Sequence, residues 1–329
     1  MTSARSIQNP GRRDLIAAAL AAGALSYPIR ALAAAYPART ITLVSPFVAG
    51  GPNDIVGRII AESLKDALKQ PVLVDNVTGA GGLVGTRKVL VGPSDGYTLL
   101  IGAAYLVTAP HLYKAATFDP AQDLIPLSPP IESSLVFVSA EHTDLKSLIE
   151  SAKKSGKPIR LASPGAGTLS HLGGEMLRLA ANAPLVHIPY RGIGPAMTDV
   201  MGGHADLLID GVSSSLPQIR DGRLRALAVP DEQRNSLLPD APTTAQLGWP
   251  SVKVRAWNAI FAKAGTPADI VELLTTEITK VVNRPEITSE LKKRGLDPSP
   301  LAAAAFKQRL AVETAHWKSV VQSAKITLE

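Results

Sequence analysis

The 329-residue chain contains no cysteine, which excludes disulfides, thiolate metal ligation and a cysteine nucleophile. Aromatic residues are scarce, at 4%, so the chain offers no stacking platform for nucleic-acid bases. It has no basic block either. The formal charge is +6, and half of it comes from Arg5, Arg12, Arg13 and Arg30 against Asp14 near the N-terminus. Neither DNA nor RNA is therefore an expected partner. After the N-terminal region no apolar run approaches the ~20 residues that span a bilayer. Catalytic signatures are missing too: there is no G-x-S-x-G elbow, no H-E-x-x-H and no Gly-Lys-Ser/Thr phosphate loop. His111, His142, His171, His187, His204 and His316 are scattered without ligand-like spacing. No catalytic residue, metal or cofactor is expected.

What is present begins with an export signal. Arg12-Arg13 precede an apolar segment, Leu15 to Leu25, and small residues close it at Ala31 to Ala35. Cleavage after Ala33 or Ala35 would leave a mature chain starting near Tyr36, in the periplasm. The alternatives are a membrane anchor or an ordinary buried helix. The paired arginines admit the twin-arginine route beside the general secretory one, although Asp14 follows them and Leu15 stands where an aromatic residue is usual.

Beyond residue 35 one unit recurs: a short apolar strand, a small-residue loop, then an amphipathic helix. Ile41 to Val44 leads through Gly50-Gly51 into a helix from Asn53 to Leu68, with Pro52 at its first position and Ile55, Ile59, Leu64 and Leu68 near helical spacing. Val72 to Val74 leads through Gly79-Ala80-Gly81-Gly82 into a helix around Thr86 to Val91, and Tyr97 to Ile101 is a third strand. Ile159 to Ala162 leads through Ser163 to Thr168 into a helix carrying Leu172, Met176 and Leu179. Val186 to Ile188 leads through Tyr190 to Gly194 to Pro195 at a first helical position, and Leu207 to Ile209 reaches Asp210-Gly211 and a Ser-rich helix start. Such alternation predicts mostly parallel α/β sheets. The length and the two loop families predict two lobes, 36–139 with 255–329 and 140–254, with crossovers at Leu135 to Val138 and Val254 to Phe261. Helices from Ala268 to Val282 and from Leu301 to Val321 return to the first lobe.

In open α/β sheets, ligands sit beyond the carboxyl ends of the strands, where helices begin. A helix start leaves about four amides unpaired and carries roughly half a positive charge. Glycines let that backbone approach an anion, so Gly50 and Gly51 are read as exposing donors. Asp54, at the third helical position, is read as bonding back to first-turn amides. The functional alternative is that it positions a water or accepts from a ligand hydroxyl or ammonium. His171 and His187 are read as packed or capping residues, and Ser213-Ser214-Ser215 as a helix cap.

Several segments, taken in order, carry a family likeness. They are Tyr36-Pro37 with Ile41 to Val44; Pro46 to Asp54; Val74-Asp75-Asn76; Gly79 to Gly82; Ser94 to Leu100; Ser170-His171-Leu172 with Glu175; Pro189 to Gly192 with Gly194-Pro195-Ala196; and Gly202 to Asp206. Over nearly the whole mature chain they resemble the substrate-binding proteins of tripartite tricarboxylate transporters, the Bug proteins. The resemblance implies an α/β type II periplasmic-binding fold: two lobes, a hinge and a central cleft closing on a small carboxylate. The cargo would pass to a membrane permease, or the closed form to a sensor kinase, and a monomer is expected. It further implies that Phe47, Ala49, Gly50, Gly51 and Asp54 hold one ligand carboxylate through backbone groups and bridging waters. Ser163, Gly165, Thr168 and Ser170 would face it, with Ala103, Ala104, Tyr190 and Asp210 lining the cleft. Two departures narrow the ligand: Ala103 and Ala104 stand where hydroxyl residues are common, and Pro164 interrupts a Ser/Gly-rich loop. These disfavour citrate and favour a less polar carboxylate, aromatic or short dicarboxylic. The enzyme alternative is an exported hydrolase or isomerase using Asp54, Asp210 or His171, and a further alternative is a signalling co-receptor.

Overall fold

A computed structural model describes residues 36–326 and 328, so the expected export signal lies outside the described residues. The chain divides into Met1–Ala38 and Arg39–Glu329, and every element below belongs to the second unit. β1 (Ile41–Ser45) feeds α1 (Pro52–Leu68), β2 (Val72–Asn76) feeds α2 (Leu83–Val91), and β3 (Thr98–Ala103) feeds α3 (Tyr105–Leu112). A short α4 (Pro120–Asp123) and β4 (Leu124–Pro126) lead to the long strand β5 (Ile131–Ser139). Then α5 (Leu145–Ser155), β6 (Ile159–Ser163), α6 (Leu169–Ala181), β7 (Leu185–Pro189), α7 (Ile193–Met201), β8 (Leu207–Gly211), α8 (Val212–Arg220) and β9 (Arg225–Ala228) follow. The chain returns through β10 (Arg255–Lys263), α9 (Ala268–Val282), α10 (Pro285–Lys293), β11 (Asp297–Pro298) and α11 (Ala303–Ala324).

The strand order is β2-β1-β3-β10-β5-β8-β6-β7. β1 pairs in parallel with β2 and β3, and β6 in parallel with β7 and β8, as the alternating pattern requires. β5 joins the two sets. Its residues Ile131 to Ser134 pair antiparallel with β10, and Leu135 to Val138 pair antiparallel with β8. Both expected crossover segments therefore lie on strands at the junction.

α1 starts on Pro52, which has no amide to leave unpaired, and ends on Lys69 in the left-handed region, φ 52°. Its buried stripe is Val56, Ile60, Leu64 and Leu68 at four-residue intervals, displaced by one position from the expected Ile55 and Ile59. Pro195 differs as well: α7 begins at Ile193, so the proline is third rather than first, still among residues whose amides have no intrahelical partner.

One apolar cluster runs through both halves, from Val44, Leu100 and Phe261 to Leu161, Leu172 and Ile209. Its centre is aromatic: Phe306 of α11 stands perpendicular to Trp257 at 5.0 Å and 6.0 Å from Phe261, all three fully buried. Burying such a side chain contributes ~1.5–3 kcal/mol. α11 touches α3 and α4 of the first half and α6 of the second, so it ties the two halves together. A second cluster, with Val136, Ala162, Val200 and Leu208, sits under α7 and α8. Among the described residues no helix is long and apolar enough to cross a membrane.

Candidate functional site

The loop after β1 is built on buried polar side chains. Ser45 Oγ donates to Asn53 Oδ1 at 2.9 Å, and Asn53 Nδ2 donates to the Ile101 carbonyl at 2.8 Å and to Asn258 Oδ1 at 3.2 Å. Asn53 thus stitches β1, β3 and β10 together at the start of α1. Next to it, the buried Asp54 carboxylate accepts from the Gly50 amide at 2.9 Å, Arg58 Nε at 2.8 Å and Asn76 Nδ2 at 3.0 Å. Asn76 also donates to the Phe47 carbonyl at 3.0 Å. The Arg58 hydrogen bond, assisted by those from Gly50 and Asn76, outweighs desolvation and lowers the Asp54 pKa to about 2.

Asp54 thus bonds back to the loop amide of Gly50, ahead of the helix, and not to the first-turn amides expected of it; the reading of Gly50 is corrected as well. The Gly50 amide is committed to Asp54, so it is not a donor held ready for a ligand. Gly51, Asn53 and Asp54 have no hydrogen-bond partner for their own amides among the described residues, which leaves a trio of donors at the helix start. Phe47 sets its ring edge-on to Tyr105 at 5.3 Å, and Ala49 and Gly50 are exposed. Ala103 is half-buried at the end of β3, whereas Ala104 is buried in the apolar core and presents no side chain to a cleft.

The loop after β6 is held by neutral groups. Ser163, fully buried, donates from Oγ to the Gly165 carbonyl at 3.0 Å, accepts from the Gly165 amide at 3.2 Å and lies 2.6 Å from His187 Nε2. Its side chain braces the loop from inside rather than facing a ligand. Thr168 caps α6, accepting from the His171 amide at 3.4 Å and donating to the Gly165 carbonyl at 2.7 Å. The Gly167 amide donates to His171 Nδ1 at 3.0 Å, so the neutral ring carries its proton on Nε2. His171 and His187 stack at 3.7 Å with planes 12° apart. Desolvation lowers both to about 4, and the neighbouring imidazole adds to the effect at His187. Ser170 is buried beside them.

Two further expected residues differ from their reading. The Tyr190 hydroxyl donates to Asp199 Oδ2 at 2.7 Å and its ring packs on the second apolar cluster, so only its backbone lies at the loop. Asp210 is buried at the end of β8 and receives bonds from the Ser214 and Ser215 hydroxyls. These serines hold Asp210 rather than cap α8, whose cap residue is Gly211. Burial raises the Asp210 pKa against those bonds.

The glycine turns of the two halves approach each other at one side chain. A Cβ added at Gly81 would stand 3.4 Å from the Tyr113 hydroxyl, and one at Gly167 would stand 3.6 Å from it. Asn53, Asn76 and Tyr113 were not singled out from sequence as site residues. Asn53 and Asn76 lie inside segments that carry the family likeness, but nothing in the local pattern marks Tyr113.

Two other features are set apart from these turns. A cavity of about 640 Å³ is lined by Glu132, Asp231, Arg255, Arg309 and Glu313 among others. Arg255 bonds Asp231 and Glu132, and Arg309 bonds Glu132 and Glu313, so its cations are already matched. Glu141, His142 and Asp206 place ligand-type atoms within 4.8 Å of one another. However, both Asp206 oxygens are held by Arg160, at 2.7 and 3.1 Å, and the group sits before β8, at the amino end of that strand.

Two α/β sets sharing β5, with glycine turns meeting from each, are the architecture of a two-lobed solute-binding protein. Solved relatives agree. Periplasmic binding protein BugD is 33% identical with a TM-score of 0.78, over 89% of this chain and 100% of its own. Rpa4515 from R. palustris, solved with adipate, is 28% identical at a TM-score of 0.80, over 89% and 100%. MatC from Rhodopseudomonas palustris, with bound malate, is 27% identical at 0.77, over 87% and 100%. Protein BugT of Bordetella pertussis is 34% identical over 87% of this chain and 90% of its own. Residues 56–326 match the tripartite tricarboxylate transporter family receptor, and the chain belongs to that family.

Proposed function

We propose that this protein captures a small dicarboxylate between its halves and holds it unchanged for uptake or sensing. The observation that carries the reading is the approach of the 79–82 and 163–168 turns to the Tyr113 hydroxyl from opposite halves. The unpaired amides at the start of α1 supply anion donors nearby. Adipate and malate in two relatives make a dicarboxylate the first class to test. Ala103, half-buried at the end of β3, favours a ligand with few hydroxyls, against citrate. Lobes at 36–139 with 255–329 and at 140–254 would hinge where β5 and β10 cross, and ligand would shift that equilibrium toward closure.

The enzyme alternative is weakened by the state of its residues. Asp54 is saturated by three donors, His171 is stacked and bonded to Gly167, and Asp210 is held by two serines. The protein would reside in the periplasm, exported by the general secretory or twin-arginine route, and deliver cargo to a permease or a sensor kinase.

Calorimetry with adipate, malate, benzoate and citrate tests the ligand class. One dicarboxylate should bind at one site and be recovered intact by mass spectrometry. Tight binding of citrate alone, or recovery of a converted product, would overturn the reading. Uptake and transcription in a deletion strain separate transport from sensing.

A further inference from the structure

We propose that Tyr113 is a ligand-contacting residue whose hydroxyl donates a hydrogen bond to the captured dicarboxylate, an inference that rests on the function proposed above. Tyr113 follows α3 directly, and its backbone is fixed. Its amide donates to the Ala109 carbonyl at 2.9 Å, its carbonyl accepts from the Ala116 amide at 3.0 Å, and it forms a parallel bridge with Leu328. The ring is therefore aimed by a rigid helix end.

Glycines of both turns come within van der Waals reach of that ring. A Cβ at Gly81 would meet ring Cε2 at 3.8 Å, Cζ at 3.7 Å and the hydroxyl at 3.4 Å. At Gly167 it would meet the hydroxyl at 3.6 Å and the Leu112 and Leu328 side chains at 3.0 and 2.6 Å. Gly81 has φ +64° and Gly167 φ +76°, values that L side chains seldom adopt. The two turns thus flank the phenol tip.

The hydroxyl is also unspent. Tyr105 and Tyr190 pair theirs with Thr86 and Asp199, whereas the Tyr113 hydroxyl makes no hydrogen bond among the described residues. Partial burial raises its pKa, with no hydrogen bond contributing, so the group is a protonated donor at neutral pH. Half-buried, the hydroxyl still reaches solvent, so a ligand oxygen would replace water there rather than relieve an unmet donor. A carboxylate oxygen accepts from the hydroxyl in a charge-assisted bond, about twice as strong as a neutral one.

The test is Tyr113→Phe, which deletes one oxygen and keeps the ring. Wild type and variant are titrated with adipate and malate by calorimetry, and their ligand-free melting temperatures are compared. The expected result is a loss of affinity of about tenfold or more, with the ligand-free melting temperature unchanged. A tyrosine absorbance difference on ligand addition should also be reduced in the variant. Equal affinity in both proteins overturns the role of Tyr113 and leaves the dicarboxylate reading standing. Loss of affinity matched by a lowered ligand-free melting temperature also overturns it, because the hydroxyl would then be structural. A wild type that binds neither acid overturns both readings.

Discussion

After β1 the chain wraps around a buried carboxylate; after β6 it wraps around two stacked imidazoles. In the first loop Asp54 collects an amide, a guanidinium and a carboxamide. In the second, Ser163 bonds the neutral His187 and the Gly167 amide donates to the neutral His171. Both arrangements hold a glycine-containing turn in place, but one depends on a charge being present and the other on charge being absent. The loops should therefore fail at different pH. The imidazoles resist protonation in the fold, at about 4 against 6.5, while Asp54 resists it down to about 2 against 3.8.

The largest expected effect follows from the second loop. Between pH 6.5 and 4 the unfolded chain binds protons that the folded histidines refuse, so stability falls as pH drops through that window. His171, 7% exposed with a pKa lowered to about 4, should account for roughly 3 kcal/mol by pH 4. Glu175 opposes the effect at His187 without cancelling it. Urea unfolding across pH 7 to 4 measures the slope. A double variant, His171→Gln with His187→Gln, should flatten it; an unchanged slope would break the contrast between the loops.

The first loop should be silent over that range. Asp54→Asn removes the charged acceptor that Arg58 and the Gly50 amide share, and should cost about 1–3 kcal/mol at pH 7. Because the wild-type carboxylate keeps its stabilising contribution until pH falls from 3.8 toward 2, the deficit of the variant should stay constant down to about pH 4. It should shrink only below that. Chemical denaturation of the two proteins at pH 7, 5 and 3.5 checks this, and a deficit that disappears by pH 5 would contradict it.

The contrast also explains what could be read from sequence. Apolar runs identified β1, β2, β6 and β8, but each strand extends one or two residues further, into Ser45, Asn76, Ser163 and Asp210-Gly211. A hydrophobic pattern stops at the first polar residue, while the hydrogen-bonded ladder continues. Those polar strand ends brace the loops, which is why the scaffold was more legible than the braces. Asp54 was readable because its partner amide is four residues away. Its bond to Asn76 spans 22 residues and that of Ser163 to His187 spans 24, so both required the sheet register. Tyr113 meets Gly81 and Gly167 only through the packing of two halves, and no local signal announces it.

The smallest effect bears on whether the first loop faces a ligand at all. Gly50 has φ +83°, so Gly50→Ala should cost about 1–2 kcal/mol through backbone strain alone. Gly51 has φ −78° and ψ 168°, and an added Cβ meets nothing nearer than the Val48 carbonyl oxygen at 3.6 Å. Gly51→Ala should therefore match wild-type stability within about 0.5 kcal/mol. With stability unchanged, its affinity reports only on how closely an anion nears the α1 start. A methyl group there should weaken dicarboxylate binding in calorimetry. If Gly51→Ala is stable and binds as wild type does, the ligand does not reach those amides, and anion capture must rest on the second loop and Tyr113.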